Sequence, residues 1–341
     1  MGLCALGTLL EERLATHLGC AEATLFPCGW SAAFSVLRTL LRDGDHVLTC
    51  GPVGDGVRQG AAACGAVLHA LSDADCLTLA DRLDYLRDHH PRAGILLVVN
   101  ALGASGACLP DLARLQALCQ RHAATLMVDV TEDLGLMGES GRGVIEDQGQ
   151  LGRIDIVTGS LAAVFAANGG FVASNHPALK TVLRMASGAQ TESAAMSPVQ
   201  AAVALAALDL IAGEEGVTRR ARLATNAARL RAGLQAAGFA PLPIPGPVVQ
   251  LRFARLEQAR RLTAEMLAHG VMLNLDETPG PVCGAPRPLP PEGVVASWRL
   301  RVMADHSPED IDTLITRLVE ARQRLDAAER QGWEDRLAVV A

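Results

Sequence analysis

Lysine is almost absent from this chain. Of 341 residues, 30 are lysine or arginine, and a single one of these, Lys180, is lysine. Chemistry that needs a side-chain amine therefore has one candidate in the whole sequence. Aromatic residues make up only 3%, which argues against a stacking surface for single-stranded nucleic acid. A formal net charge of -7 argues against any polyanionic partner. The nine cysteines are odd in number and scattered, with no CxxC pair, so a disulfide framework and a zinc site both fail on spacing. Reduced, buried thiols acting as small hydrophobes are the expectation. No apolar run reaches membrane-spanning length, and the longest, 201–211, is interrupted by Asp209. The N-terminus lacks a basic segment, and Leu6 stands where a myristoylation signal needs Ser or Thr. These absences predict a soluble, cytoplasmic chain.

What is present is the material of an enzyme-sized body. Half of the residues are hydrophobic and a fifth are charged, enough for a sizeable core and against disorder. The length suits two domains. Short β-type runs alternate with amphipathic stretches, the pattern of a mostly parallel sheet wrapped by helices. Residues 1–19 read as a helix carrying Leu9, Leu10 and Leu14 before Gly19, and 29–41 as the next. Runs at 46–49, 94–99, 125–129, 154–158 and 170–173 read as strands, and helices follow at 198–212 and 217–237. The run Pro241-Leu242-Pro243-Ile244-Pro245-Gly246-Pro247 is the sharpest break in composition. It predicts a large α/β domain over 1–240, a small C-terminal α+β domain over 241–330 and a tail over 331–341. The small domain is expected to run strand 248–253, helix 256–269, strand 271–273, proline-rich loop 278–291, strand 296–303 and a last helix. That helix opens on Ser307-Pro308-Glu309-Asp310, a capping box with proline at the first helical position.

Several segments fall in an order that carries more information than any one of them. Leu126-Met127-Val128-Asp129 precedes Gly135-Leu136-Met137-Gly138-Glu139-Ser140-Gly141-Arg142-Gly143. Then come Ile154-Asp155-Ile156-Val157-Thr158-Gly159-Ser160-Leu161 and Gly169-Gly170-Phe171-Val172-Ala173. This series resembles the α-oxoamine synthases, which include serine palmitoyltransferase, 2-amino-3-ketobutyrate ligase, 8-amino-7-oxononanoate synthase and 5-aminolevulinate synthase. Their pattern is a strand ending VDDAHGLGVLGE.GRG, followed by DIVTGTLGKALG..GGY. The likeness also takes in Phe26-Pro27-Cys28-Gly29-Trp30 and Gly44-Asp45-His46-Val47, and extends over nearly the whole chain. It implies a fold-type I pyridoxal-phosphate (PLP) transferase architecture in which two chains share each site. It also implies an N-terminal arm shortened relative to the family.

The resemblance assigns roles one position at a time. Asp129 would pair with the pyridine nitrogen and keep it protonated. Cys28, Gly29 and Trp30 open a helix whose N-terminal amides would receive the phosphate, and Ser160 would add a hydroxyl. Taken alone, the same residues are a strand-end aspartate, a helix cap and a turn. Arg299, in Trp298-Arg299-Leu300-Arg301, is the candidate for the arginine that grips an amino-acid carboxylate. The interval to His306 is shorter than in the family, so either Arg299 holds that role or the position is deleted; a plain strand arginine is the third reading.

The losses are as specific as the matches. The family's cofactor-bonding lysine falls on Ala163, its cofactor-facing histidine on Glu132, its ring-stacking histidine on Gly54 and its ring-facing serine on Gly103. Lys180 reads as an exposed helix residue out of bonding reach. Glu132 and Asp133 read as a solvated acidic turn, with a paired-carboxylate acid–base site as the alternative. The resemblance therefore implies a non-catalytic or regulatory subunit of a PLP-dependent acyl-CoA:amino-acid acyltransferase. Its PLP would be held weakly and noncovalently, or not at all. The expected assembly is a homodimer in isolation and a heterodimer with a lysine-bearing relative, Ser193 reaching toward the partner's phosphate. The alternatives are an active PLP-dependent acyltransferase or aminotransferase, and a ligand-binding scaffold.

Overall fold

A computed structural model describes residues 4–51, 53–71, 76–102, 109–277 and 296–338. Gly103 and the loop 278–291 lie outside the described residues. The chain forms two compact units, one taking Met1–Arg220 and the other Ala221–Gly280 with Pro290–Ala341.

In the first unit, helix α1 (Ala5–Leu18) stops where Gly19 turns into the left-handed region at φ +70°. It feeds β1 (Glu22–Phe26), α2 (Gly29–Leu40), β2 (His46–Cys50), α3 (Asp55–Cys64), β3 (Val67–Leu71) and α4 (Cys76–His89). Next come β4 (Ile95–Asn100), α5 (Leu112–Arg121), β5 (Thr125–Asp129), the short α6 (Val144–Asp147), β6 (Ile156–Ser160) and β7 (Gly170–Ser174). The unit closes with α7 (Leu179–Ala186), α8 (Gly188–Thr191), α9 (Pro198–Ala212) and the start of α10 (Glu214–Ala236). α9 begins where the sequence puts proline inside its first turn, and Ser197 Oγ accepts the N–H of Gln200 at 3.2 Å.

The seven strands form one sheet in the order β1-β7-β6-β5-β4-β2-β3. Five of them, β6 through β3, run parallel, and β7 is antiparallel to both neighbours. Apolar runs at the centre are buried on both faces, as a parallel sheet covered by helices requires. Leu96, Val98, Met127, Ile156 and Val172 pack beneath Ala32, Ala33, Val36 and Leu37 of α2. The carboxyl ends of β2, β4, β5 and β6 lie along one edge, the place where open α/β sheets bind ligands.

The second unit takes the rest of α10, then β8 (Val248–Phe253), α11 (Leu256–Ala268), β9 (Leu275–Glu277), β10 (Ala296–Arg301) and α12 (Pro308–Ala338). Its sheet is antiparallel in the order β8-β10-β9. Ser307 and Asp310 cap α12 reciprocally, at 2.9 and 3.1 Å.

Several boundaries differ from the sequence reading. The division falls inside α10, at Arg220, and not at the prolines. Leu223, Ala227, Leu230 and Leu234 are buried and belong to the second unit. The proline run is tied to β8 by the Pro241–Leu251 bridge and by Leu242 N donating to Gln250 O at 2.9 Å. No strand forms at 271–273, because Val271 N still bonds back to Met266 O as part of the α11 C-cap. The expected tail is helix through Ala338.

Candidate functional site

The site is built where α2 meets the ends of β6 and β7. Ser160 and Gly170 face each other across the β6–β7 ladder, and Gly170 faces Phe26 on β1. α2 starts three residues after Phe26, so its first turn is delivered onto Ser160. The approach is close. A methyl group on Gly29 would stand 2.7 Å from Ser160 Cβ, a distance that side chains do not tolerate. Gly170 is glycine for the same reason, since a methyl group there would run into the Cys28 carbonyl. The N–H groups of Gly29 and Trp30 lie in the first helical turn, where no carbonyl sits one turn below. Together with Ser160 Oγ they make an anion-receiving corner. Ser160 Oγ also accepts Ala162 N at 3.2 Å. The Trp30 ring is exposed and stacks on Phe34, centroids 4.9 Å apart. Cys28 is exposed, and among the described cysteines only Cys119 is fully buried, so the expectation of buried thiols holds for that one alone.

Asp129 ends β5 and pairs in register with Thr158 on β6, two residues before Ser160. Thr131 N donates to its Oδ1 at 2.8 Å, and the Thr158 hydroxyl reaches Oδ2 at 3.5 Å. Thr131 Oγ1 in turn accepts Ser160 N at 3.1 Å, so one threonine ties the acid to the anion corner. Burial raises the Asp129 pKa, with Glu132 adding to the rise and the Thr131 and Thr158 hydrogen bonds opposing it. A buried carboxyl in this state is eased by a cation placed against it.

The acidic turn is not solvated. Asp133 is fully buried, and its Oδ2 accepts Val144 N at 2.7 Å. Its Oδ1 is buried without a hydrogen-bond partner. Burial pushes its pKa well above the usual carboxylate value, and the charge of Asp129 adds to the rise. Gly143, at φ +79°, leaves the space the Asp133 carboxyl fills. Glu132 is half-buried.

Lys180 also differs from its reading as an exposed side chain. It is only 19% exposed, and its Nζ donates to Glu22 at 2.9 Å and lies 3.0 Å from Glu11, which is itself buried. Glu22 stands at the end of β1 opposite Phe26, level with Ser174. β1 is also three strands from β5, about 14 Å at ~4.8 Å per strand. The only lysine amine is therefore held away from the Asp129–Ser160 edge.

Ala163 lies exposed in the turn after β6. A methyl group on Gly54, expected from the sequence to stand at the stacking-histidine position, would meet nothing within 4 Å. Arg299 sits half-buried on β10 of the second unit, opposite Gln250. Ser193 Oγ donates to Ala189 O at 2.6 Å. The first unit thus brings together Cys28, Gly29, Trp30, Ser160 and Asp129; Arg299 belongs to the other unit. Sequence reasoning missed Thr131, whose signal was its place two residues beyond a strand-end acid, as in an Asx turn. It also missed Ala166, a non-glycine residue at φ +50° in the register of the last glycine of TGTLGKALG.

Comparison with known proteins agrees with this fold. The family model described as aminotransferase class I and II matches residues 5–318. The chain belongs to that family. Within it, the relatives are α-oxoamine synthases, and the chain is a member of that branch. A putative 8-amino-7-oxononanoate synthase of Gloeobacter violaceus is 30% identical over 320 residues, 92% of this chain and 76% of the relative. The serine palmitoyltransferase of Sphingomonas paucimobilis is 30% identical over 317 residues, 90% of this chain and 70% of its own length. Among solved structures, Sphingomonas wittichii serine palmitoyltransferase superposes with a TM-score of 0.85 at 24% identity, covering 96% of this chain and 78% of that one. A serine palmitoyltransferase solved with PLP as its internal aldimine gives 0.84 at 25% identity, covering 95% and 78%. The architecture is that of the fold-type I PLP transferases. Among the described residues, no helix is long and apolar enough to cross a membrane.

Proposed function

We propose that this chain is an α-oxoamine-synthase-like subunit that holds PLP without a covalent bond and does not catalyse condensation alone. The observation that carries the reading is Lys180. It is the only lysine, and its amine is committed to Glu22 and Glu11, while Ala163 takes the family's lysine position. The residues present fit two ends of PLP and not the third. Gly29, Trp30 and Ser160 would receive the phosphate, and Asp129 would hold the ring nitrogen in its protonated form. Bound PLP supplies an electron sink for carbanion chemistry at an amino acid. This chain's own groups would bind and orient the ring, but no side-chain amine is available to bond its aldehyde or move an α-proton. Arg299 is the candidate for gripping a substrate carboxylate.

The subunit role is supported by an uncovered apolar face on the first unit. α1 and α9 are joined by the Arg13–Asp209 ion pair, and Leu9, Val199, Val203 and Leu210 are 43%, 70%, 38% and 58% exposed. Such a face is covered by a partner in a stable assembly. The proposed partners are a second copy in isolation and a lysine-bearing relative in the cell, the pair acting as an acyl-CoA:amino-acid acyltransferase of the serine palmitoyltransferase kind, with Ser193 offered to the partner's site. The second reading, an enzyme active by itself, draws on the 30% identity to synthases over nine-tenths of the chain. Assay of the purified chain with acyl-CoA and amino acids, alone and co-expressed with such a relative, separates the two. Turnover by the chain alone overturns the proposal.

A further inference from the structure

The second unit carries a cleft that the reading above leaves unused. It opens between α11, α12 and the turn after α10 and has a volume of about 210 Å³, room for about seven waters at ~30 Å³ each. Its floor is aromatic and braced from behind. Phe253, at the end of β8, meets Trp298 edge-on with centroids 4.8 Å apart. Trp298 is fully buried, and its Nε1 donates to Thr263 Oγ1 at 2.8 Å. Phe239 adds a second ring, with the Arg322 guanidinium 4.4 Å above its centroid. Arg322 is held there by donating to the carbonyls of Ala237 at 2.6 Å and Gly238 at 3.3 Å. A guanidinium has five N–H donors, so these bonds fix its plane without exhausting it. Arg261 brings a second guanidinium to the described lining, which also holds the Asp326 carboxylate.

Apolar walls with a few convergent polar groups are the make-up of small-ligand sites. The volume is too small for a nucleotide or an acyl-CoA, and two guanidinium groups converging on one cleft suit a small anion. We propose that this cleft binds a small organic carboxylate with an apolar body, the size of a phenylpropionate or a branched-chain acid. The body lies on Phe239 and Phe253, and the carboxylate meets Arg261 and Arg322. All of these residues belong to the second unit, so the site stands whether or not PLP binds the first.

Calorimetric titration of the full chain, without PLP, tests it with three probes: 3-phenylpropionate, phenylalanine and the neutral 3-phenylpropionamide. The expected result is saturable one-site binding of the carboxylates, with the amide weaker by about tenfold or more. Arg261→Gln should weaken the carboxylates by about tenfold. Gln258→Trp, which fills the cleft from an exposed position, should abolish binding while circular dichroism and melting stay unchanged. Phenylalanine binding more tightly than phenylpropionate, with Asp326→Asn removing the difference, would identify an amino acid; equal binding would identify a simple acid. No saturable binding of either carboxylate, equal binding of the amide, or binding that survives both substitutions would overturn the proposal.

Discussion

Ala166 adopts φ +50°, a conformation that costs an L-residue about 1–2 kcal/mol. Glycine avoids that cost but loses about 0.5–1 kcal/mol in chain entropy. Ala166→Gly should therefore raise stability by about 0.5–1 kcal/mol, read as a higher urea midpoint. Asp133 gives a sharper test at the same scale. Its folded pKa is raised, so the stability it contributes is present below the ordinary carboxylate value of 3.8 and is lost as pH rises through the folded value. Asp133→Asn keeps an oxygen for Val144 N and cannot ionise. The variant should exceed the wild type in stability at neutral and alkaline pH, by about 1 kcal/mol or more, with the gap closing near pH 4. A gap that stays constant from pH 4 to 8 would show that Asp133 carries no such proton. Gly29→Ala tests the anion corner. Its methyl must displace Ser160, costing ~1–3 kcal/mol, and phosphate or PLP binding should be lost in calorimetry.

At the scale of elements, the sheet edge formed by β2 and β3 carries a chain of neighbouring, tilted rings. Arg82 donates to His69 Nδ1 at 2.7 Å, and His69 Nε2 lies 3.1 Å from His46 Nδ1. His90 packs its ring 4.7 Å from that of His46. Burial, then Arg82, His46 and His90, hold His69 down at about 4. Burial, then His90 and Arg82, lower His46 against the opposing pull of Asp45. A base with a depressed folded pKa contributes stability that is complete above its ordinary value of 6.5 and lost as pH falls toward about 4. Denaturation midpoints should drop across that window, and drop less in His69→Gln. These elements also mark how far the sequence could be read. β5, α9 and β8 were legible to the residue because an apolar run ended on a capping or punctuating residue. β1 and β3 were not, since Glu22 and His69 break the apolar pattern that their pairing partners supply. The closeness of Gly29 to Ser160, and the tie from Ser160 through Thr131 to Asp129, lie among residues that motif order singles out. The burial of Asp133 and the pinning of Lys180 were not legible, because each depends on a residue far away in sequence, Val144 for one and Glu11 with Glu22 for the other.

At the scale of the whole molecule, a family architecture is kept while the only lysine, Lys180, is held by Glu22 and Glu11. In the proposed function, the Gly29–Ser160 corner and the Asp129 carboxyl would receive a ligand with an anionic end and a cationic ring nitrogen. Installing an amine at the family position separates binding from bonding. Ala163→Lys should create a visible-absorbing adduct with PLP but little condensation, because the proposed reading places Gly54 and Glu132 where the family carries its stacking and facing imidazoles. The most direct test of the account is borohydride reduction of the wild-type chain with PLP, followed by peptide mapping. Reversible PLP binding is expected, with no pyridoxyl group fixed to any peptide. A pyridoxyl group fixed on Lys180 at one per chain would contradict it.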